Sequence, residues 1–231
     1  RIEKKAELDD VPMVSLINEM YVRRNNFARQ HIVERLADRG IILRVAGLHE
    51  WLYYVDFAVK RKLVQKAVLR NRIQKVIESY PKRRFEKRIK RILAGSGLYK
   101  HRLVDVEKVF NNAKDLIPET LICESILITG TTITELIEDV SGVISIQPFG
   151  CMPGRVGEAV ISRRLSEKKL SCADEPELVR EVMKEFPYLP FLTLEVDGQV
   201  LTQGIEAKLE AFCLQVERLH AKTKDLRAEG S

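Results

Sequence analysis

Two periods of apolar residues alternate along the chain. Val14 to Val22 (VSLINEMYV) is dense enough in apolar side chains to read as a buried strand. Behind Asn25 or Asn26, either of which can cap a helix, Phe27, Ile32, Val33 and Leu36 recur at helical spacing, and Gly40 closes the segment. Ile41 to Ala46 is a second short apolar strand. Strand, helix of about a dozen residues and strand make a right-handed βαβ unit and therefore a parallel sheet.

From about His49 to Asp115 no strand pattern appears. Helical stretches are predicted near 50–79, 82–94 and 105–115, broken by Pro81 and by Gly95-Ser96-Gly97. The α/β pattern then returns. Thr132-x-x-Glu135 reads as a capping box opening a helix to about Val140. Val143 to Gln147 (VISIQ) is a strand buried on both faces, and a loop over Pro148 to Gly154 leads into a helix ending near Leu165. Asp174-x-x-Glu177 caps another helix, Phe191 to Val196 (FLTLEV) is the next strand, and Gly198 turns it. A last amphipathic helix runs from about Gln203 to Leu226, with Ile205, Leu209, Phe212, Val216 and Leu219 on one face. The expected fold is α/β, a parallel sheet flanked by helices, divided as residues 1–48, an all-helical insertion over 49–118, and residues 119–231.

Charge gives the insertion its character. Residues 60–102 hold 16 Lys/Arg against two acids, Glu78 and Glu86, a local balance of +14, whereas the remainder has 23 basic and 31 acidic residues, or −8. Leu63, Val64, Ala67, Val68, Ile73 and Ile77 interleave with the cations at helical spacing, so the plain reading is an amphipathic helix with a solvated basic face. Docking an acidic partner and holding the phosphates of coenzyme A are two further options, and nucleic acid, which Lys/Arg density would also serve, is the less favoured one.

At 231 residues and 45% hydrophobic composition the chain can bury a core. Its uninterrupted apolar runs are too short to span a bilayer, and no leader pattern opens it. A cytoplasmic protein without a membrane partner is the expectation. The first methionine is Met13 and the opening Arg-Ile-Glu-Lys-Lys reads as an excised or processed piece lacking an upstream region.

The four cysteines, Cys123, Cys151, Cys172 and Cys213, form no CxxC pair, which argues against a zinc ribbon or a disulfide scaffold. Cys172 and Cys213 read as reduced thiols, Cys213 within an apolar helix stripe. Cys151 differs because it follows a buried strand and precedes a glycine-bearing helix start, GCMPGRVG. Ligands of open parallel sheets collect at that end of the strands. A thiol near a helix N-terminus and beside Arg155 is placed to act as a thiolate. The glycines at 150, 154 and 157 do not make a dinucleotide fingerprint, no Gly-Lys-Ser/Thr follows them, and Gly157 stands where a cysteine phosphatase loop needs arginine. His31, His49, His101 and His220 lie in helical or basic contexts unsuited to pairing with the thiol. His49-Glu50-Trp51-Leu52-Tyr53-Tyr54 either lines a pocket or packs the root of the insertion, with packing preferred, and Glu195 and Asp197 flank the end of the last strand.

Several stretches together resemble one family. These are Tyr21-Val-Arg-Arg-Asn-Asn-Phe-Ala28, His49-Glu-Trp-Leu-Tyr53, Gly142-Val-Ile-Ser-Ile-Gln-Pro-Phe-Gly-Cys-Met-Pro153, Leu189-Pro-Phe-Leu-Thr-Leu-Glu-Val-Asp-Gly198 and Ala207-Lys-Leu-Glu-Ala-Phe212. In order and spacing they are similar to the acyl-CoA dehydratase activase-related proteins, relatives of the 2-hydroxyglutaryl-CoA dehydratase D-component, over roughly residues 14–60 and 120–220. The resemblance implies a Rossmann-like domain of an anaerobic iron–sulfur redox protein. It also implies a [4Fe–4S] cluster held by cysteines from separate loops, fed single electrons by a partner ATPase activase of the actin/hexokinase type. In the dehydratases that electron makes a ketyl radical from a 2-hydroxyacyl-CoA thioester. Cys151 matches the family's strand-end cysteine and is the implied metal ligand, with Cys123 as a second cluster-binding candidate. The family's upstream cysteine-bearing region has no counterpart here, and no substrate acid, base or acyl-CoA contact maps onto the chain. A non-catalytic module docking through the basic insertion is the alternative reading.

Overall fold

The computed structural model describes residues 6–61, 72–100, 102–121, 123–198 and 203–229. Contacts divide the chain into two compact units: Val11–Ala46 with Lys108–Ser231, and Arg1–Asp10 with Gly47–Glu107. The segment that carries the basic cluster thus falls in the smaller unit, and α5 (Val106–Ala113) crosses the division between Glu107 and Lys108.

The larger unit is built on four parallel strands, β1 (Met13–Asn18), β2 (Ile42–Val45), β3 (Gly142–Pro148) and β4 (Phe191–Val196), in the order β2-β1-β3-β4. This is the α/β, Rossmann-like arrangement that the alternating pattern implies. β1 runs beside β2 from Met13 against Ile42 and beside β3 from Val14 against Gly142, and β3 pairs β4 from Val143 against Phe191. Strand alternation sorts the core into two layers. Val14, Leu16, Ile144, Ile146 and Leu194 pack with Leu36 of α2 (Ile32–Ala37) and Phe212 and Val216 of α9 (Gln203–Glu229). On the other face Ile17 and Val143 meet Ile128 and Ile133 of α6 (Ser125–Glu135), Ile161 and Leu165 of α7 (Met152–Cys172), and Val179 of α8 (Pro176–Glu185).

Several element boundaries differ from the pattern. The first strand ends at Asn18, which adopts φ 84°, rather than running to Val22. Glu19 then caps a short helix, α1 (Met20–Arg24), its carboxylate accepting from the Val22 N–H at 2.6 Å. Asn25 does cap a turn, accepting from the Ala28 N–H at 3.0 Å, but Gln30 and His31 sit at positive φ and delay α2 to Ile32. Thr132 and Glu135 do not open a helix. They lie in the last turn of α6, where Thr132 Oγ1 donates back to the Ile128 carbonyl at 2.8 Å, so the box-like spacing falls inside the helix it was expected to begin. Asp174 likewise does not cap α8: Glu175 holds that position and Asp174 pairs with Lys108. The helix expected to end near Leu165 continues to Cys172, because Lys169 is buried, paired with Glu138 and donating to the Thr134 carbonyl at 3.3 Å.

In the smaller unit the described residues hold helices and turns and no strand: α3 (Leu48–Lys60), α4 (Arg72–Ala94) and a turn at Leu8–Asp10. Residues 62–71 of the stretch expected near 50–79, with Leu63, Val64, Ala67 and Val68, lie outside the described residues. Pro81 does not end its helix. A proline forfeits one backbone hydrogen bond, and just beyond it α4 is fastened to α3. Lys82 pairs with Asp56 at 3.0 Å, and Tyr53 Oη donates to Glu86 at 2.7 Å. Glu86 also meets Lys90 at 2.5 Å and His49 at 3.4 Å. These contacts run in opposite order along the two helices, so α3 and α4 pair antiparallel.

Candidate functional site

The chain leaves β1 toward β2 on one side and later returns to β3 on the other, so the β1/β3 junction is the topological switch point where ligands of open α/β sheets bind. A row of polar side chains occupies its carboxyl end. Asn18 Nδ2 donates to Ser145 Oγ at 3.0 Å and to Gln147 Oε1 at 2.7 Å. Gln147 Nε2 donates in turn to Glu195 Oε1 at 3.2 Å, and Arg155 grips Glu195 with Nε at 2.9 Å and Nη2 at 2.8 Å. Gln147 is 0% exposed and Asn18 6%.

The row has a direction. The Glu195 carboxylate only accepts, which forces the Gln147 amide nitrogen toward it and turns Oε1 to Asn18. Asn18 must therefore offer its nitrogen, and its Oδ1 is left buried with no hydrogen-bond donor among the described residues. Alternation alone would turn Asn18 toward the Val14 and Leu16 face. The positive φ ends the strand there and lets the side chain reach Ser145 and Gln147 instead. Gly154, in the first turn of α7, sits directly on this row: a Cβ there would overlap Gln147 Oε1 and press Asn18 Nδ2. Glycine is thus what allows the helix to start close against the strand ends.

Cys151 is the N-cap residue of that helix and is half-buried. Its neighbour Arg155 is committed to Glu195 and stacks 5.8 Å from the Phe149 ring centroid, so its charge is spent on closing the row. Cys123, two residues before α6, donates through Sγ to Ser125 Oγ at 3.1 Å, and Ser125 Oγ donates to the Pro153 carbonyl at 2.7 Å. That chain of bonds brings the Cys123 loop against the first turn of α7, two residues from Cys151. Next to Cys123 in the chain is Glu124, whose carboxyl is raised above its ordinary value by burial and by the Glu19 carboxylate, with Arg23 opposing.

The other candidates lie apart from this site. Cys172 bonds the Lys168 carbonyl and Cys213 is fully buried in the core; burial pushes both thiols up. His220 meets Ser141 at 3.4 Å, at the amino end of β3, and His31 pairs with Glu34. His49 belongs to the α3–α4 contact, where Tyr53 and Tyr54 are buried, and His101 lies outside the described residues. Asp197 is exposed just past β4. Among the described residues no group of three His, Cys, Asp or Glu could hold a metal ion.

Sequence reasoning singled out Cys151, Cys123, Arg155 and Glu195 but missed Asn18, Ser145 and Gln147. Their signal was present: Ser145 and Gln147 are the polar positions of an otherwise apolar strand and share one face. No family model, no curated protein and no solved structure matches the chain.

Proposed function

We propose that this chain is part of an iron–sulfur redox protein related to the 2-hydroxyacyl-CoA dehydratases, and that Cys151 and Cys123 contribute thiolates to a cluster completed from outside it. The observation that carries the reading is the placement of two thiols at the starts of neighbouring helices, bridged through Ser125 and Pro153 beside the switch point. A cubane cluster takes about four ligands. Two thiols with no third donor of that kind among the described residues do not fit a complete site, so no reaction step is assigned to it.

On this reading the remaining ligands come from an upstream region of the same protein. The electron donor is an ATPase activase of the actin/hexokinase type, acyl-CoA is the substrate class, and the setting is an anaerobic cytoplasm. The chain's own contribution is positional. The Asn18–Gln147–Glu195–Arg155 row fixes the strand ends on which both cysteine loops rest, and Asn18 Oδ1 remains as an acceptor for a donor group of a bound ligand.

The test is anaerobic iron and sulfide reconstitution of the chain beside Cys151→Ser and Cys123→Ser, with excess dithiothreitol standing in for the ligands the chain lacks, read by bound iron and visible charge-transfer absorption. Iron held by the parent and lost in both variants supports the reading. Equal iron in parent and variants, or none in any, removes it for this chain.

A further inference from the structure

The α3–α4 hairpin carries an exposed apolar side that its own packing does not use. The helices meet through His49, Tyr53 and Asp56 on α3 and Lys82, Glu86 and Lys90 on α4. Residues one position earlier, Leu48 and Leu52 on α3 and Phe85 and Ile89 on α4, lie about 100° round each helix from that seam. An antiparallel pair is related by a two-fold axis perpendicular to the seam, so these equivalent flanks face the same side. Ile92 extends the α4 flank by one more turn. Phe85 is 63%, Ile89 56% and Ile92 68% exposed. Trp51, on the outer edge of α3, is 37% exposed.

Cations border this side. Arg84 and Arg88 occupy the outer edge of α4, and Arg83, Lys87 and Arg91 continue the basic arc behind them around a hollow of about 600 Å³. Single exposed apolar residues are ordinary, but a contiguous row on two helices marks a contact surface. Phosphate backbones satisfy cations and leave Phe85, Ile89 and Ile92 in water, so a nucleic acid accounts for half of the pattern. A bilayer surface accounts for both halves, with acyl chains for the apolar side and anionic headgroups for the arginines beside it.

We propose that the α3–α4 hairpin lies on an anionic lipid bilayer, Phe85, Ile89 and Ile92 entering the acyl boundary and Arg84 and Arg88 meeting lipid phosphates. Among the described residues no helix is long and apolar enough to cross a membrane, and a helix lying in the interface plane needs no such length.

Trp51, the single tryptophan, is the natural probe. Its emission and the protein's co-sedimentation are followed on adding vesicles of phosphatidylcholine alone or mixed equally with phosphatidylglycerol. The expected result is a blue shift and sedimentation with the anionic vesicles only, reversed by salt. Phe85→Ser/Ile89→Ser and Arg84→Glu/Arg88→Glu should each weaken partitioning about tenfold or more without changing the melting temperature, since both pairs are exposed. Partitioning that survives both double variants overturns the proposal. So does a parent that ignores anionic vesicles, whether it then binds duplex RNA with steep salt dependence, binds an acidic protein, or binds neither.

Discussion

The two units of this protein are held together by different means. In the sheet unit Val14, Val143 and Ile144 are fully buried, and both core layers belong to that unit. In the hairpin unit the buried apolar residues among those described are few, Tyr53, Tyr54, Ala58 and Val106. An acid, Glu86, takes their place in a strongly basic segment, holding Lys90, Tyr53 and His49 at once. Apolar burial thus fixes the switch-point site to a rigid frame. The hairpin depends on one buried charge cluster and leaves its apolar side outward.

The largest expected contrast is between isoleucines. Ile144→Ala should destabilise the sheet unit by about 3 kcal/mol through lost burial and a residual cavity. Ile92→Ala should change hairpin stability by no more than about 0.5 kcal/mol. Urea denaturation followed by amide exchange in each unit measures both, and equal costs would erase the distinction.

Next comes Glu86→Gln, which leaves the buried Lys90 ammonium without its counter-charge, held only by the Arg102 carbonyl at 2.6 Å, and should cost the hairpin about 3 kcal/mol. Burial raises the Glu86 carboxyl, but hydrogen bonds from Lys90 and Tyr53, with the charges of Lys90 and His49, outweigh it and hold it below the ordinary value. A depressed carboxylate stabilises above its unfolded pKa, about 4.3, and that contribution is lost as pH falls through the lower folded value. Amide protection over residues 48–60 and 81–94, taken relative to the intrinsic exchange rate at each pH, should therefore fall in acid in the parent and not further in the variant.

Gly154→Ala should cost about 2 kcal/mol, because the added methyl meets Gln147 and Asn18 in a packed row. Crystallography or amide exchange should find the damage at the ends of β1 and β3, with the hairpin unmoved. The smallest effect is expected at Glu124, where the sign reverses. Its raised carboxyl stabilises below the unfolded pKa and loses that contribution as pH rises through the folded value. Glu124→Gln should raise the sheet unit's midpoint slightly at pH 7 and leave it unchanged in strong acid.

What was legible in the sequence follows the same division. β3, β4 and α9 were readable because apolar period alone defines them; their ends move by no more than three residues. The first strand was read four residues too long because the apolar residues Met20 to Val22 follow close behind Leu16 and Ile17, and hydropathy does not carry the positive φ at Asn18 that ends the strand. Thr132 and Glu135 matched a cap by spacing, but a threonine can also bond back to the preceding turn, and the tertiary contact Arg44–Glu135 takes the acid. Cys151, Arg155 and Glu195 were visible because strand-end positions are predictable. The buried amides were not, since Asn18 joins Ser145 and Gln147 across more than 120 residues of sequence.

Counting the thiolates at the switch point tests the central claim most directly. Cadmium titration of the reduced protein reports sulfur–metal bonds by ultraviolet charge-transfer absorption. The signal should fall by about half in Cys151→Ser or Cys123→Ser and vanish in the double variant, in proportion to thiolate ligands. Cys172→Ser and Cys213→Ser should leave it intact. A signal that survives loss of both Cys151 and Cys123, or that depends on Cys172, would contradict it.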